Sequence, residues 1–155
     1  MNKKRNYWLM KSEPNTYSID DLKQDKVTAW DGVRNYQARN FMRDDMKKGD
    51  LVLFYHSNAK PPGVVGVGEV SSKSYPDPTQ FDENSQYFDA KATRDKPRWF
   101  LVDIKYKKKF KEVISLEYIK SLKKFSDMEL TKKGSRLSVQ PVKKHHFDAL
   151  VKKGR

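Results

Sequence analysis

Two consecutive apolar runs, Asp50–Ser57 and Gly63–Val70, constrain the fold of this chain more than any other segment. In the first, Leu51, Leu53 and Tyr55 alternate with Val52, Phe54 and His56. Both faces are mostly apolar, so the spacing predicts a strand buried on both sides. Asn58 to Pro62 supply a turn, and the second run returns as a strand. It carries Val65 and Val67 on one face, Gly66 and Gly68 on the other. Glycines along one strand face signal a close approach, whether by a neighbouring helix, a barrel bend or a ligand.

The remaining segments read as cover for that sheet. Tyr7–Lys11 is a short apolar strand ended by Ser12-Glu13-Pro14-Asn15. Ser18 with Asp21 three residues on marks a capping-box helix start, and the helix runs to about Asp25. Asn35–Lys48 is the longest helical pattern, with Ala38, Phe41, Met42, Asp45 and Met46 near one face. Lys47 and Lys48 suit the negative end of its dipole, and Gly49 supplies a stop. Tyr75–Phe81 holds two prolines and reads as an ordered loop. Trp99–Phe110 alternates as a long strand, and Ser115–Lys124 forms an amphipathic helix with Leu116, Ile119 and Leu122 inward. Gly134–Val142 is extended, and Lys143–Lys153 is a last helix with Phe147, Leu150 and Val151 inward. Strands in the middle with helices between and after them imply an α+β fold, a curved or closed sheet flanked by short helices. No repeat or linker divides residues 1–155, so one domain is expected.

Charge narrows the partner. Lys and Arg number 33 against 20 Asp and Glu, a formal net charge of +13, which sets up a field attractive to polyanions. Membrane attachment has little support: position 2 is Asn, no Cys is available for prenylation, and no apolar run approaches a membrane span. The absence of Cys also excludes a disulfide framework, a thiolate nucleophile and thiolate-bound zinc. These features imply a cytoplasmic protein, or a nuclear one in a eukaryote.

Catalytic chemistry finds no motif. Gly63-Val64-Val65-Gly66-Val67-Gly68 lacks the spacing of a phosphate-binding loop and lies inside a strand. His145 and His146 are adjacent, point about 100° apart on a helix, and read as a solvated face. His56, alone in an apolar strand, reads as a satisfied core histidine. The expectation is a binding protein, monomeric, with no cofactor, no metal and no catalytic residues. Its lysines concentrate in the C-terminal half, and Lys105, Lys107, Lys109, Lys132 and Lys133 are candidates for phosphate contact. Trp30 lies in a turn-like segment, Ala29-Trp30-Asp31-Gly32-Val33-Arg34-Asn35. It can stack on a base, with Arg34 and Asn35 as donors, or plug the end of a barrel. In the first case Trp30→Ala removes base discrimination and leaves the fold intact.

Several blocks resemble the EVE domain family. They are Tyr7-Trp8-Leu9-Met10-Lys11-Ser12-Glu13-Pro14, Trp30 to Asn40, Tyr55-His56-Ser57-Asn58, Pro62 to Gly66, Tyr75 to Phe81, Pro97-Arg98-Trp99 and Gly134 to Val142. They occur in order over nearly the whole chain. The resemblance implies a small PUA-like β-barrel of mixed strands flanked by short helices, akin to the YTH readers of methylated adenine. It implies a pocket that accepts a modified base, cytosine or adenine, flipped out of DNA or RNA. By position, the pocket residues are Lys11, Ser12, Trp30, Val33, Arg34, Asn35, Tyr55, His56, Ser57, Ser138, Val139 and Gln140. An RNA-binding module for modified tRNA or rRNA, and a protein-interaction module, remain the rival expectations.

Overall fold

The computed structural model describes residues 5–155; the first four residues of the basic opening segment lie outside it. In chain order the strands are β1 (Tyr7–Ser12), β2 (Val27–Ala29), β3 (Leu51–His56), β4 (Gly63–Val70), β5 (Tyr75–Pro76), β6 (Phe100–Leu101), β7 (Asp103–Ser115) and β8 (Val139–Val142). The α-helices are α1 (Ile19–Asp25), α2 (Tyr36–Asn40), α3 (Leu116–Ser121) and α4 (Lys144–Gly154). Six strands form one mixed sheet in the order β2-β7-β4-β3-β1-β8, and β5 with β6 makes a separate two-stranded ribbon. β1 and β3 run parallel, and the other pairs are antiparallel. The sheet curls and stays open at β2 and β8, an α+β arrangement with short flanking helices, as the sequence implied.

Both faces of the sheet are covered, which explains the two-sided apolar pattern of β3. Val52 and Phe54 join one core with Trp8, Met10, Ile19, Leu22, Met42 and Trp30. Leu53 and Tyr55 join a second core with Leu9, Ile119, Phe125, Phe147 and Leu150. The glycine face of β4 is explained by packing. A Cβ on Gly66 would lie 2.3 Å from the Lys108 carbonyl oxygen and 2.9 Å from Ile19 Cδ1, so β7 and α1 fill the space where a side chain would stand.

Helix α1 starts as expected: Ser18 accepts from the Asp21 amide while the Asp21 carboxylate accepts from the Ser18 amide. Other elements depart from expectation. The helix predicted over 35–48 is shorter: α2 passes into a π-turn, Phe41–Asp45, and Met46 is already extended. Its end is set by Asp50, a buried carboxylate that accepts from the Lys47 amide, the Asn6 amide and Trp8 Nε1. Lys47 and Lys48 therefore leave the helix and face solvent. The strand predicted over 99–110 is interrupted at Val102, whose carbonyl accepts from the Trp30 amide, and then runs on to Ser115. Lys111 and Glu112, both exposed, hid that extension, because they interrupt the apolar alternation that Ile114 resumes. His146 is 2% exposed and not on a solvated face. Its Nε2 lies 2.9 Å from the Lys124 carbonyl oxygen, an acceptor, so this nitrogen donates.

Candidate nucleic-acid interface

At the C-terminal end of β1 a cavity of about 540 Å³ opens between the strand end, the 28–34 segment and the loop at 86–87. Ser12, Thr28, Trp30, Asp31, Val33 and Ser138 are among its lining residues. Trp30 serves two purposes there. Its indole meets Phe54 edge to face at 5.4 Å in the first core and also forms cavity wall. It is 8% exposed, hardly more than Trp99 at 6% or Trp8 at 3%. The core-plug alternative therefore holds, and the same indole also forms cavity wall.

The segment carrying Trp30 is fixed by a buried polar cluster. Gly32 takes φ +81°, and a Cβ there would sit 2.7 Å from the Tyr87 ring, so only glycine fits under that ring. The Gly32 amide donates to Asp77 Oδ2 at 2.9 Å. Asp77, 1% exposed, also accepts from the Thr79 amide, the Thr79 hydroxyl and Arg34 Nη1. Burial alone would push the Asp77 carboxyl up, but these hydrogen bonds outweigh it and hold it below the usual carboxylate range. Arg34 makes five hydrogen bonds, to Tyr87 O twice, Val33 O, Thr79 Oγ1 and Asp77 Oδ2. That occupies all five guanidinium N–H groups, so Arg34 braces the wall and has none left for a base. Beside it, Asp31 is exposed at the rim. Burial of its surroundings and the nearby Asp77 carboxylate push its carboxyl up, against the pull of Arg34.

Of the twelve residues nominated for the pocket, Lys11, Ser12, Trp30, Val33, Arg34 and Ser138 line this cavity. The Lys11 ammonium, lowered in pKa by burial, lies 5.7 Å from the centre of the Tyr55 ring, whose side chain belongs to the second core. Ser12 donates its hydroxyl to Tyr17 O at 2.6 Å and keeps its acceptor lone pairs. The other six are engaged elsewhere. Asn35 caps α2, its side-chain oxygen accepting from the Ala38 amide. Tyr55 is 3% exposed in the second core. His56 Nε2 accepts from the Ile19 amide at 3.1 Å, and its ring meets Phe54 edge to face. So Tyr55 and His56 take opposite faces of β3, as the alternation implied. Ser57 extends the β1–β3 pairing through its amide, which donates to Ser12 O. Val139 is fully buried in the first core, and Gln140 donates to Leu137 O. Among cavity residues the sequence reading left out, Asp31 stands inside the Trp30 segment. Gln86 and Tyr87 sit in a loop that has no periodicity to mark it.

The lysines nominated for phosphate contact are exposed, and several are paired. Lys107 meets Glu69 at 3.3 Å, Lys109 meets Asp20 at 2.7 Å, and Lys132 meets Glu129 at 3.7 Å. Lys105 and Lys133 are exposed as well. Among the described residues no cluster of three or more His, Asp or Glu could hold a metal, and no helix is long and apolar enough to cross a membrane.

Comparison with known proteins places this geometry in a family. Thymocyte nuclear protein 1 of Mus musculus is 43% identical over 94% of this chain and 72% of its own length. A solved protein of Pseudomonas syringae is 47% identical, with a TM-score of 0.92 over 96% of this chain and 99% of that one. The human THYN1 protein, solved in complex with DNA containing 5-methylcytosine, is 38% identical, with a TM-score of 0.90 over 97% of this chain and 98% of that one. The sequence profile of the EVE domain matches residues 6–153. With its curled sheet, its Trp30 wall and its matching sequence, this chain belongs to the EVE domain family.

Proposed function

We propose that this chain is a reader of modified cytosine in DNA, taking the extruded base into the cavity beside Trp30. The observation that carries this reading is the complex of the human THYN1 protein with 5-methylcytosine-containing DNA, on a fold shared over 97% of this chain. A cavity of about 540 Å³ lies within the usual range of small-ligand sites. Extruding a base costs a few kcal/mol, and stacking on an aromatic ring returns ~1–3 kcal/mol. Phe54 holds the Trp30 ring in place beforehand, so little ordering cost falls on binding. Asp31 at the rim is the acceptor suited to the exocyclic amine of cytosine, and Ser12 offers further acceptor capacity. The role is recognition without turnover, by a monomer that needs neither metal nor cofactor. The compartment follows the DNA, the nucleus in a eukaryote and the cytoplasm in a bacterium.

The test is an anisotropy titration with matched duplexes carrying one cytosine, one 5-methylcytosine or one 5-hydroxymethylcytosine, and with RNA counterparts. Tighter binding to a modified DNA duplex is expected. Equal binding to all DNA duplexes overturns the reading, and a preference confined to modified RNA replaces it with the RNA alternative.

A further inference from the structure

The strongest unassigned feature is a ledge of arginines and stacked aromatics beside the cavity. Tyr36 is 48% exposed, an unusual position for so large a ring, and it stacks on Trp99 with ring centres 4.8 Å apart and planes at 19°. Arg39, one turn later, lies 4.7 Å from the Tyr36 ring centre and donates to the Arg98 carbonyl at 2.8 Å. Arg98 donates to the Tyr36 hydroxyl at 2.7 Å. These contacts hold two guanidiniums beside the Tyr36 ring, 4.7 Å and 5.9 Å from its centre, where side-chain ordering has already been met. Among the described residues Arg39 pairs with no carboxylate; its remaining bonds go to the Asn40 side chain. Burial and the like charges of Arg43 and Arg98 lower its pKa, which marks a place where positive charge gathers.

The ledge is continuous with two other features. The Trp99 ring that supports Tyr36 lies 5.2 Å from the Arg34 guanidinium, and Arg34 is cavity wall. At the other end, Arg43 enters a hollow of about 890 Å³ that is also lined by Lys47, Lys48 and Lys73. The one carboxylate lining that hollow is Asp50, already hydrogen-bonded to two amides and an indole. A track of cations thus starts at the cavity wall and leads away from it; along it Arg43 is paired with Asp44 at 2.8 Å and Arg98 with Asp89 at 3.7 Å, both near the surface, while Arg39 has no carboxylate partner among the described residues.

We infer that the DNA strand flanking the extruded base lays its phosphates along this track, over Arg39 and Arg98 toward Arg43, with the exposed Tyr36 ring against a flanking sugar or base. The inference rests on the base-reading role, since the cavity fixes where the strand begins. Charge complementarity and the unbroken path from the cavity select DNA backbone as the occupant, because a guanidinium fork fits phosphate oxygens and a stacked ring fits a nucleotide. The contacts are independent of sequence and of modification.

The experiment compares the whole chain with Arg39→Ala/Arg98→Ala, Lys47→Ala/Lys73→Ala and Lys132→Ala/Lys133→Ala, on methylated and unmethylated duplexes across a salt series, with melting curves for each. For the first two variants we expect affinity to drop on both duplexes alike and the slope of log K against log salt to flatten by ~0.9 for each phosphate no longer neutralised. The ratio between the duplexes should hold. The third variant should flatten the slope only slightly, through lost long-range steering, and by much less than either ledge variant. Flattening confined to the Lys132/Lys133 variant overturns the inference, as does a wild-type slope in the two ledge variants. Should Arg39→Ala/Arg98→Ala unfold, the exposed Lys47/Lys73 pair decides alone. A wild-type protein that ignores methylation but whose slope flattens chiefly in the ledge variants refutes the base-reading role and leaves the phosphate track standing.

Discussion

The two cationic regions of this molecule hold charge in different ways. Around the cavity, arginines are built in: Arg34 by five hydrogen bonds and the buried Asp77, Arg39 by the Tyr36 ring and the Arg98 carbonyl, and Arg98 by the Tyr36 hydroxyl with Asp89 beside it. In the C-terminal half, lysines stand exposed, and those with partners meet carboxylates at the surface, as Lys143 meets Asp127 and Lys144 meets Asp148. Exposed pairs of that kind contribute little, with a median of ~0–1 kcal/mol. The lysine half supplies most of the long-range attraction, while the arginine side supplies groups held in a geometry that a ligand can meet. Net charge therefore identifies the class of partner, and the side chains that are pinned identify the contact surface.

The largest effect expected on the pinned side is from Trp30→Ala. The indole is core and cavity wall together, so its removal should cost ~3–5 kcal/mol of stability, as a buried Trp→Ala does. The idea that this change leaves the fold intact is thereby revised. Trp30→Phe separates the roles: it should retain most of the stability by thermal melting while the preference for modified cytosine weakens. A Trp30→Ala protein that melts like wild type would show that Phe54 and its neighbours do not depend on the ring.

Next in size is Asp77→Asn, expected to cost ~3 kcal/mol because it leaves the Arg34 guanidinium without its buried charge partner. The pH dependence has a definite sign. The folded Asp77 carboxyl titrates below its ordinary range, so its contribution is complete above the unfolded value of about 3.9 and is lost as pH falls through the lower folded value. Chemical denaturation between pH 2 and 7 should show an acid limb in the wild type that is shallower in Asp77→Asn. Identical acid limbs would mean that the cluster does not hold the 28–34 segment.

How much of this was legible in the sequence depends on distance along the chain. The period-two alternation of β1, β3 and β4 was plain, because a sheet covered on both faces leaves its pattern in adjacent residues. The capping box of α1 was equally local. The end of α2 was not, since it depends on a carboxylate at position 50 and on a widened turn. The same holds for the site. Trp30 was found because an aromatic in a polar turn is conspicuous. Arg34 was assigned to the base, yet its donors are consumed by residues 43 to 53 positions away, together with the adjacent Val33 carbonyl. Asn35 looked like a free amide and is a helix cap. Single residues disclose their chemistry; only the fold discloses whether that chemistry is already spent.

A smaller effect is expected from His56, which lies between the two regions. Its pKa is lowered by burial, with Lys109 adding to the decrease and Asp20 opposing it, and Nε2 must stay unprotonated to accept from the Ile19 amide. Stability linked to His56 is complete above the ordinary imidazole value of about 6.5 and falls as pH drops below it toward the folded value. Lys109→Ala should raise the His56 pKa as followed by NMR. An unchanged titration would show that the Lys109 charge is screened from the core.

The smallest effect belongs to the exposed lysines themselves. Lys132 and Lys133 lie on the surface, and the pairing of Lys132 with Glu129 spans 3.7 Å between two side chains that solvent reaches. Replacing both with Ala removes an entropic cost along with a screened attraction, so the melting free energy should move by less than ~0.5 kcal/mol in either direction. The association rate should fall modestly with DNA at low salt, and the difference should vanish at high salt, because a distant charge acts through a field that ions screen beyond a Debye length of about 10 Å at 0.1 M. The dissociation rate should stay the same. A faster dissociation from the methylated duplex would mean that these lysines touch phosphate, and the contrast between a steering half and a gripping half would then dissolve.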